Sequence, residues 1–144
     1  MARILYRIAA VLIVLLDLGH SSGYPWSDPA WGVDLHSMQS SHFKVLGFNR
    51  TYWDFYVGFG LSVSVFLLLA AVLAWQLGSV PAQTFHFVRV TAWASVLSFA
   101  GIVVLDAMYF FSIPLVFSVL ITVCLAAATW LSTRASGPPA LAKG

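Results

Sequence analysis

The sequence predicts an all-α protein, a four-helix transmembrane bundle with a long structured outer loop between the first and second helices. Of the 144 residues, 60% are hydrophobic and 8% are charged, whereas about a quarter of the residues of a soluble domain are charged. Four segments approach the roughly 20 apolar residues that a helix needs to cross a bilayer. Such a composition excludes a disordered chain, because apolar side chains are abundant. It also leaves no room for a separate soluble domain.

The four predicted spans cover approximately residues 5–22, 53–77, 87–111 and 113–131, and the outer loop covers residues 23–52. Gly78 and Pro81 are typical of the end of the second span, Thr84 of an N-cap for the third, and Pro114 of the first turn of the fourth. Residues 1–133 are therefore assigned to one transmembrane domain. Residues 134–144 are polar and contain two prolines, which predicts a flexible tail.

A cleaved signal peptide is an alternative for the first segment. Arg3 and Arg7 precede an apolar stretch, and Gly19-His20-Ser21 has the small-x-small pattern of a cleavage site. The charge of Asp17 inside the apolar stretch argues against it. We therefore treat the segment as a span.

Lysine and arginine placement predicts the orientation of the chain. Five basic residues lie on the side of both termini and two on the other side, so both termini are expected in the cytoplasm and the chain in the cell inner (plasma) membrane. The aspartates all fall at or towards the outer side, and glutamate is absent. The net charge of +2 does not suggest a nucleic-acid partner.

Polar residues of different spans reach a similar depth near the outer surface. Asp17 and His20 lie three residues apart near the end of the first span, hence on one face. Asp106 lies near the outer end of the third. A charged side chain inside a membrane costs about 2.5–3.5 kcal/mol on insertion scales, so such residues normally face other helices. We therefore predict an outer ligand site formed by Asp17, His20, Trp26, Trp31, Arg50, Trp53, Asp54, Tyr56, Asp106 and Tyr109.

Structural explanations exist for each acid in this set. Asp54 at a helix start is typical of a cap. Asp106 near a helix end is also expected if it only stabilises the turn or reaches the interface. Asp17 is also compatible with a hydrogen bond between helices. These alternatives stay open from the sequence.

Small and hydroxyl residues recur at helical spacing and predict close helix packing. The second span has one such row at Asp54, Gly58 and Ser62, and another at Gly60 and Ser64. Similar rows follow the third and fourth spans. A water-lined passage is the less favoured interpretation.

The outer loop is too long and too aromatic for a simple spacer. A short helix is predicted from Asp34 to about residue 46, with Leu35, Met38, His42 and Val45 along one face. That pattern is typical of a helix that lies on the membrane or caps the bundle as a lid. The tryptophans and tyrosines are explained equally well by an interfacial aromatic belt.

Metal and cofactor sites have little support. One cysteine excludes a disulfide framework and a four-cysteine zinc site. The candidate metal ligands are the outer histidines His20, His36 and His42, but His36 and His42 are six residues apart, which is poor spacing for one ion on a helix. We expect no metal and no cofactor.

The run Thr51-Tyr-Trp-Asp-Phe-Tyr-Val-Gly-Phe-Gly60, after a first span that ends in Gly19-His20, resembles a group of small four-span bacterial inner-membrane proteins with no assigned activity. This resemblance implies the topology and supplies no catalytic residues. In layout the chain is also similar to the emopamil-binding (sterol isomerase) group, which has acids near one membrane face. The chain has no glutamate and matches no motif of that group, so no residue is transferred.

Three hypotheses about function follow. The first is a non-enzymatic membrane protein that binds a small amphiphile, a lipid or a partner subunit at the outer site. The second is a membrane enzyme in which Asp17 and His20 act as an acid–base pair in isomerisation or hydrolysis of a lipophilic substrate. The third is a structural accessory subunit, or a homo-oligomer, whose Gly58/Ser62 face packs on a partner helix.

Overall fold

A computed structural model describes residues 1–22 and 34–136 of the chain. It is mostly helical, with one small two-stranded sheet. In chain order its elements are α1 (Ala2–Ser21), α2 (Leu35–Ser40), β1 (His42–Val45), β2 (Phe48–Thr51), α3 (Tyr52–Leu77), a 3-10 helix (Ala82–Phe87), α4 (Arg89–Tyr109) and α5 (Ser112–Ala135).

Three helices are long and apolar enough to cross a membrane, namely α3, α4 and α5. They correspond to the second, third and fourth predicted spans, and they are typical of an integral membrane protein. Helix α1 is not among the three, and it carries the charges of Arg3, Arg7 and Asp17. The predicted first span is thus a helix of 20 residues with a more polar composition.

The helices pack as a row in the order α3, α1, α5, α4. Helix α1 contacts α3 on one side and α5 on the other, and α4 packs against α5. The start of α1, the end of α3, the 3-10 helix and the end of α5 line one cavity, so these ends meet at the same side. We call this side the basic end, since Arg3, Arg7, Arg89 and Arg134 lie there. The opposite side, which carries α2 and the two strands, is the outer end.

The core takes buried residues from α1, α3, the 3-10 helix, α4 and α5, and one face of α1 packs against α5 within it. Tyr6, Ala9, Ile13 and Asp17 follow one another at helical spacing on α1 and are buried. The buried residues of α5 repeat in the same way, and they are Ser118, Ile121, Leu125, Ala128 and Thr129.

The two rows of small residues on α3 differ in what they contact. The Gly60 carbonyl oxygen lies 3.0 Å from Nε2 of His20, and Ser64 Oγ lies 2.8 Å from Ser21 Oγ. This row therefore packs against α1, as the sequence predicts. Gly58 has open space around it, and the Ser62 hydroxyl donates to the Gly58 carbonyl oxygen of its own helix. The prediction that the Gly58/Ser62 row packs closely against another helix is therefore wrong within the described part of this chain, where both residues are exposed.

The predicted helix of the outer loop begins as expected and ends early. Asp34 caps α2, since its carboxylate accepts a hydrogen bond from the Ser37 amide at 3.0 Å. The helix ends at Ser40 instead of residue 46, and an antiparallel hairpin follows in which His42 pairs with Thr51. Leu46 and Gly47 both have positive φ, which matches the two-residue turn that strand twist favours.

The hairpin is fixed to the start of α3. Strand β2 runs directly into the helix, and the Phe43 ring contacts Tyr52 and Phe55, with centroids 5.3 and 5.0 Å apart. The other connections are short. The 3-10 helix contains Thr84 and precedes α4, which begins at Arg89 without a side-chain cap. The prediction that Thr84 is the N-cap of this helix is therefore wrong. Residues 23–33 of the predicted loop and 137–144 of the predicted tail lie outside the described residues.

Candidate functional site

Two carboxylates are buried at the outer end of the helix row. Asp17 on α1 and Asp106 on α4 are each 7% exposed. One oxygen of each, Oδ1 of Asp17 and Oδ2 of Asp106, is fully buried and has no hydrogen-bond partner among the described residues. A buried polar atom without a partner costs about 1–3 kcal/mol, and more if it is charged. Within residues 1–22 and 34–136, these two atoms are therefore acceptors without a donor.

The position of Asp17 follows from the register between α1 and α5. The Tyr6 hydroxyl and Oγ1 of Thr129 are 2.8 Å apart, and the helices run antiparallel. Asp17 lies eleven residues after Tyr6, and Ser118 lies eleven residues before Thr129. Because eleven residues make about three helical turns, Asp17 lies on the same face as Tyr6 and opposite Ser118. Ser118 Oγ donates to the Leu115 carbonyl oxygen of its own helix at 3.0 Å, so its proton is already engaged.

Asp106 reaches the same region from the other side of α5. Only Phe110 and Phe111 separate α4 from α5, so the two helices are antiparallel neighbours. Asp106 lies three residues before the end of α4, next to the first turns of α5. The N-terminal part of α5 is thus flanked by Asp17 on the α1 side and by Asp106 on the α4 side.

His20 lies one turn beyond Asp17 and joins α1 to α3. Its Nε2 atom lies 3.0 Å from the Gly60 carbonyl oxygen, an acceptor, so the ring donates from Nε2. The neighbouring contact between Ser21 and Ser64 fixes the same crossing. His20 therefore has a clear structural role at the outer end.

Three predicted site residues lie at the surface instead of beside the buried acids. Asp54 forms a capping box with Thr51: its carboxylate accepts from the Thr51 amide at 2.8 Å, and the Thr51 hydroxyl accepts from the Asp54 amide at 3.1 Å. Arg50 donates to the Asn49 carbonyl oxygen at 2.9 Å. Tyr109 is 71% exposed. The capping explanation of Asp54 is confirmed.

The aromatic members of the predicted site divide in two. Trp53 and Tyr56, on the first turns of α3, are half-buried and stacked, with ring centroids 5.5 Å apart. They offer an apolar surface at the outer end. Trp26 and Trp31 lie outside the described residues.

Across residues 1–22 and 34–136, no group of three or more His, Cys, Asp or Glu side chains is arranged to hold a metal ion. His36 on α2 and His42 on β1 are exposed. The lone Cys124 is half-buried on α5.

Two features of the structure were not predicted from the sequence. One is the hydrogen bond between Tyr6 and Thr129. The sequence offered one indication of it, because Tyr6 and Asp17 are eleven residues apart and therefore lie on the same face of a helix. The other is a pair of cavities around Arg3 at the basic end, far from the acids. The second cavity follows the exposed face of α1, where Arg3 and Arg7 lie among aliphatic residues.

No family model, curated protein or solved structure matches this chain.

Proposed function

We propose that this chain is a four-span inner-membrane protein whose outer end binds a small amphiphile through Asp17 and Asp106. The observation that supports the proposal is the pair of buried carboxylate oxygens that have no hydrogen-bond donor among the described residues. Both termini lie in the cytoplasm in this proposal, since four of the five arginines lie at the basic end and the described aspartates lie at the outer end.

In this proposal α1 also crosses the membrane, in addition to α3, α4 and α5. Hydrogen bonds tie α1 to α5 through Tyr6 and to α3 through His20 and Ser21. Because these contacts extend from Tyr6 to Ser21, α1 lies along two apolar helices for most of its length and shares their depth in the membrane. Asp17, His20 and Ser21 are tolerated because they face protein, as intramembrane ionisable and polar groups generally do.

The headgroup of the ligand is expected to donate hydrogen bonds. A buried carboxylate favours a primary ammonium, which has three N–H donors and the opposite charge. The stacked Trp53 and Tyr56 rings suit the apolar part of the ligand. Phosphatidylethanolamine has such an ammonium, whereas the quaternary ammonium of phosphatidylcholine has no N–H donor.

Lipid retention tests this proposal. Gently extracted protein is mixed with phosphatidylethanolamine and phosphatidylcholine of identical acyl chains, and the bound lipids are counted by native mass spectrometry. The wild type is expected to retain phosphatidylethanolamine preferentially. Asp17→Asn and Asp106→Asn should each abolish that preference, because an amide lacks the negative charge.

Asp34→Asn is the matched control, because it removes one outer charge and asparagine caps a helix as well as aspartate does. It should retain the wild-type preference. Equal retention of the two lipids by the wild type, or an unchanged preference in both buried variants, would contradict the proposal.

A second candidate, the accessory subunit, is favoured by the exposed Gly58/Ser62 row of α3. Small residues allow close helix approach in membranes. If the row is an interface, Gly58→Leu should release a copurifying subunit in native mass spectra, while lipid preference stays unchanged. The enzyme hypothesis has less support, because Nε2 of His20 is engaged by a backbone carbonyl oxygen.

A further inference from the structure

A groove follows the face of α1 that the core does not cover. It has a volume of about 370 Å³ and is lined by Arg3, Ile4, Arg7, Ile8, Val11 and Leu12. All six lining residues belong to α1, which packs against α3 on one side and against α5 on the other. The groove opens at the basic end and belongs to a different part of the molecule from the two buried acids.

Arg3 and Arg7 line the groove at the basic end. Arg3 and Arg7 are one helical turn apart, a spacing at which like charges repel. Arg7 is held in place by α3, since it donates to Ser79 Oγ at 2.9 Å and its guanidinium carbon lies 3.2 Å from the centroid of the Trp75 ring. The aspartates of the described part of the chain lie at the outer end, so this pair of positive charges faces no carboxylate from them.

The rest of the groove is aliphatic. Ile4, Ile8 and Val11 are 63%, 42% and 51% exposed. Ile4 lies between the two arginines, and Ile8 and Val11 continue the strip along α1 beyond them. At 1.5 Å per residue, this strip extends over roughly 10 Å. A charged mouth and an aliphatic strip of this length match one anionic headgroup and the first part of one acyl chain.

We propose that this groove binds an anionic phospholipid, with the phosphate on Arg3 and Arg7 and one acyl chain along Ile4, Ile8 and Val11. Guanidinium groups present forked N–H donors that match phosphate oxygens. The strip runs in the direction that a lipid chain takes from the membrane surface. This site is independent of the ammonium site at the outer end and uses none of its residues.

The test compares two double variants that each remove two positive charges from the same end. Arg3→Gln/Arg7→Gln changes the groove, and Arg89→Gln/Arg134→Gln is the control outside it. Purified full-length protein is presented with dioleoyl phosphatidylglycerol and dioleoyl phosphatidylcholine in mixed micelles, and bound lipid is counted by native mass spectrometry. The groove variant should retain phosphatidylglycerol about tenfold less than the wild type, and the control within about twofold.

Further variants guard against a folding defect. Arg3→Gln alone leaves the contacts of Arg7 with α3 in place and should still weaken retention. Ile8→Trp fills the groove without changing charge and should weaken retention of long-chain phosphatidylglycerol. Equal losses in the two double variants, or no loss in either, would overturn the proposal. Displacement of the lipid by glycerol phosphate at millimolar concentration would also overturn it, because the site would then bind a free anion.

Discussion

The phenolic oxygen of Tyr6 lies 2.8 Å from Oγ1 of Thr129, and both side chains are almost completely buried between α1 and α5. This hydrogen bond fixes the relative position of the two helices along their axes. Three turns further along the same interface, Asp17 lies opposite Ser118. One register therefore determines both the polar contact near the basic end and the burial of a carboxylate near the outer end.

Tyr6→Phe should destabilise the protein. The substitution removes the hydroxyl and leaves the buried Thr129 hydroxyl without this partner. Hydrogen bonds between membrane helices average about 0.6 kcal/mol and reach about 1.7 kcal/mol, so a loss of about 1 kcal/mol in the free energy of unfolding is expected. Denaturant titration in detergent measures it. Tyr109→Phe is the control, because Tyr109 is 71% exposed and its substitution should change stability little. Equal effects of the two substitutions would show that the Tyr6–Thr129 hydrogen bond does not contribute to stability.

Gly78→Ala should loosen the packing at the basic end. A Cβ atom at this position would lie 2.9 Å from Cβ of Tyr6 and 3.3 Å from the Arg3 carbonyl oxygen, so α1 and the end of α3 have to separate. Overpacking of this kind costs about 1–3 kcal/mol. The midpoint of thermal unfolding in detergent reports the change. Gly101→Ala on α4 has open space around its Cβ and should not lower the midpoint; a smaller loss for Gly78→Ala than for Gly101→Ala would refute the close approach.

The sequence predicted what depends on local properties. Length and apolar composition locate α3, α4 and α5, because a helix that faces lipid must be apolar. The capping role of Asp54 was predictable as well, since Thr51 lies three residues before it. The burial of Asp17 and Asp106 follows from the cost of charge in a membrane.

What the sequence did not show depends on contacts between distant residues. Both faces of α3 are apolar with small residues, so composition did not distinguish the packed Gly60/Ser64 row from the exposed Gly58/Ser62 row. The order of helices in the row also depends on contacts far apart in sequence. Apolar periodicity suggested a helix up to residue 46, but the turn at Gly47 supports a hairpin.

Leu46→Asn should stabilise the hairpin. Leu46 has a φ of 50° and is 94% exposed, so it occupies a left-handed conformation without gaining packing. Asparagine adopts this conformation more readily than leucine. We expect a gain of up to about 1 kcal/mol in local stability. Amide hydrogen exchange of Phe48, which pairs with Val45, measures it. Leu46→Val should have the opposite effect because a β-branched side chain disfavours positive φ, and faster exchange in the asparagine variant would contradict the argument.

Asp17→Asn should raise the stability of the ligand-free protein. In the wild type a buried carboxylate oxygen has no hydrogen-bond donor among the described residues, and a neutral amide is less costly to bury than a charge. A gain of about 1 kcal/mol or more in the free energy of unfolding is expected. Asp34→Asn, an exposed cap, should leave stability unchanged. The sign of the effect separates two roles, because an aspartate that joins helices by a structural hydrogen bond would destabilise the protein when replaced. A variant that is more stable and has lost its preference for phosphatidylethanolamine would show that Asp17 is retained for binding at a cost in stability, as is common for functional sites.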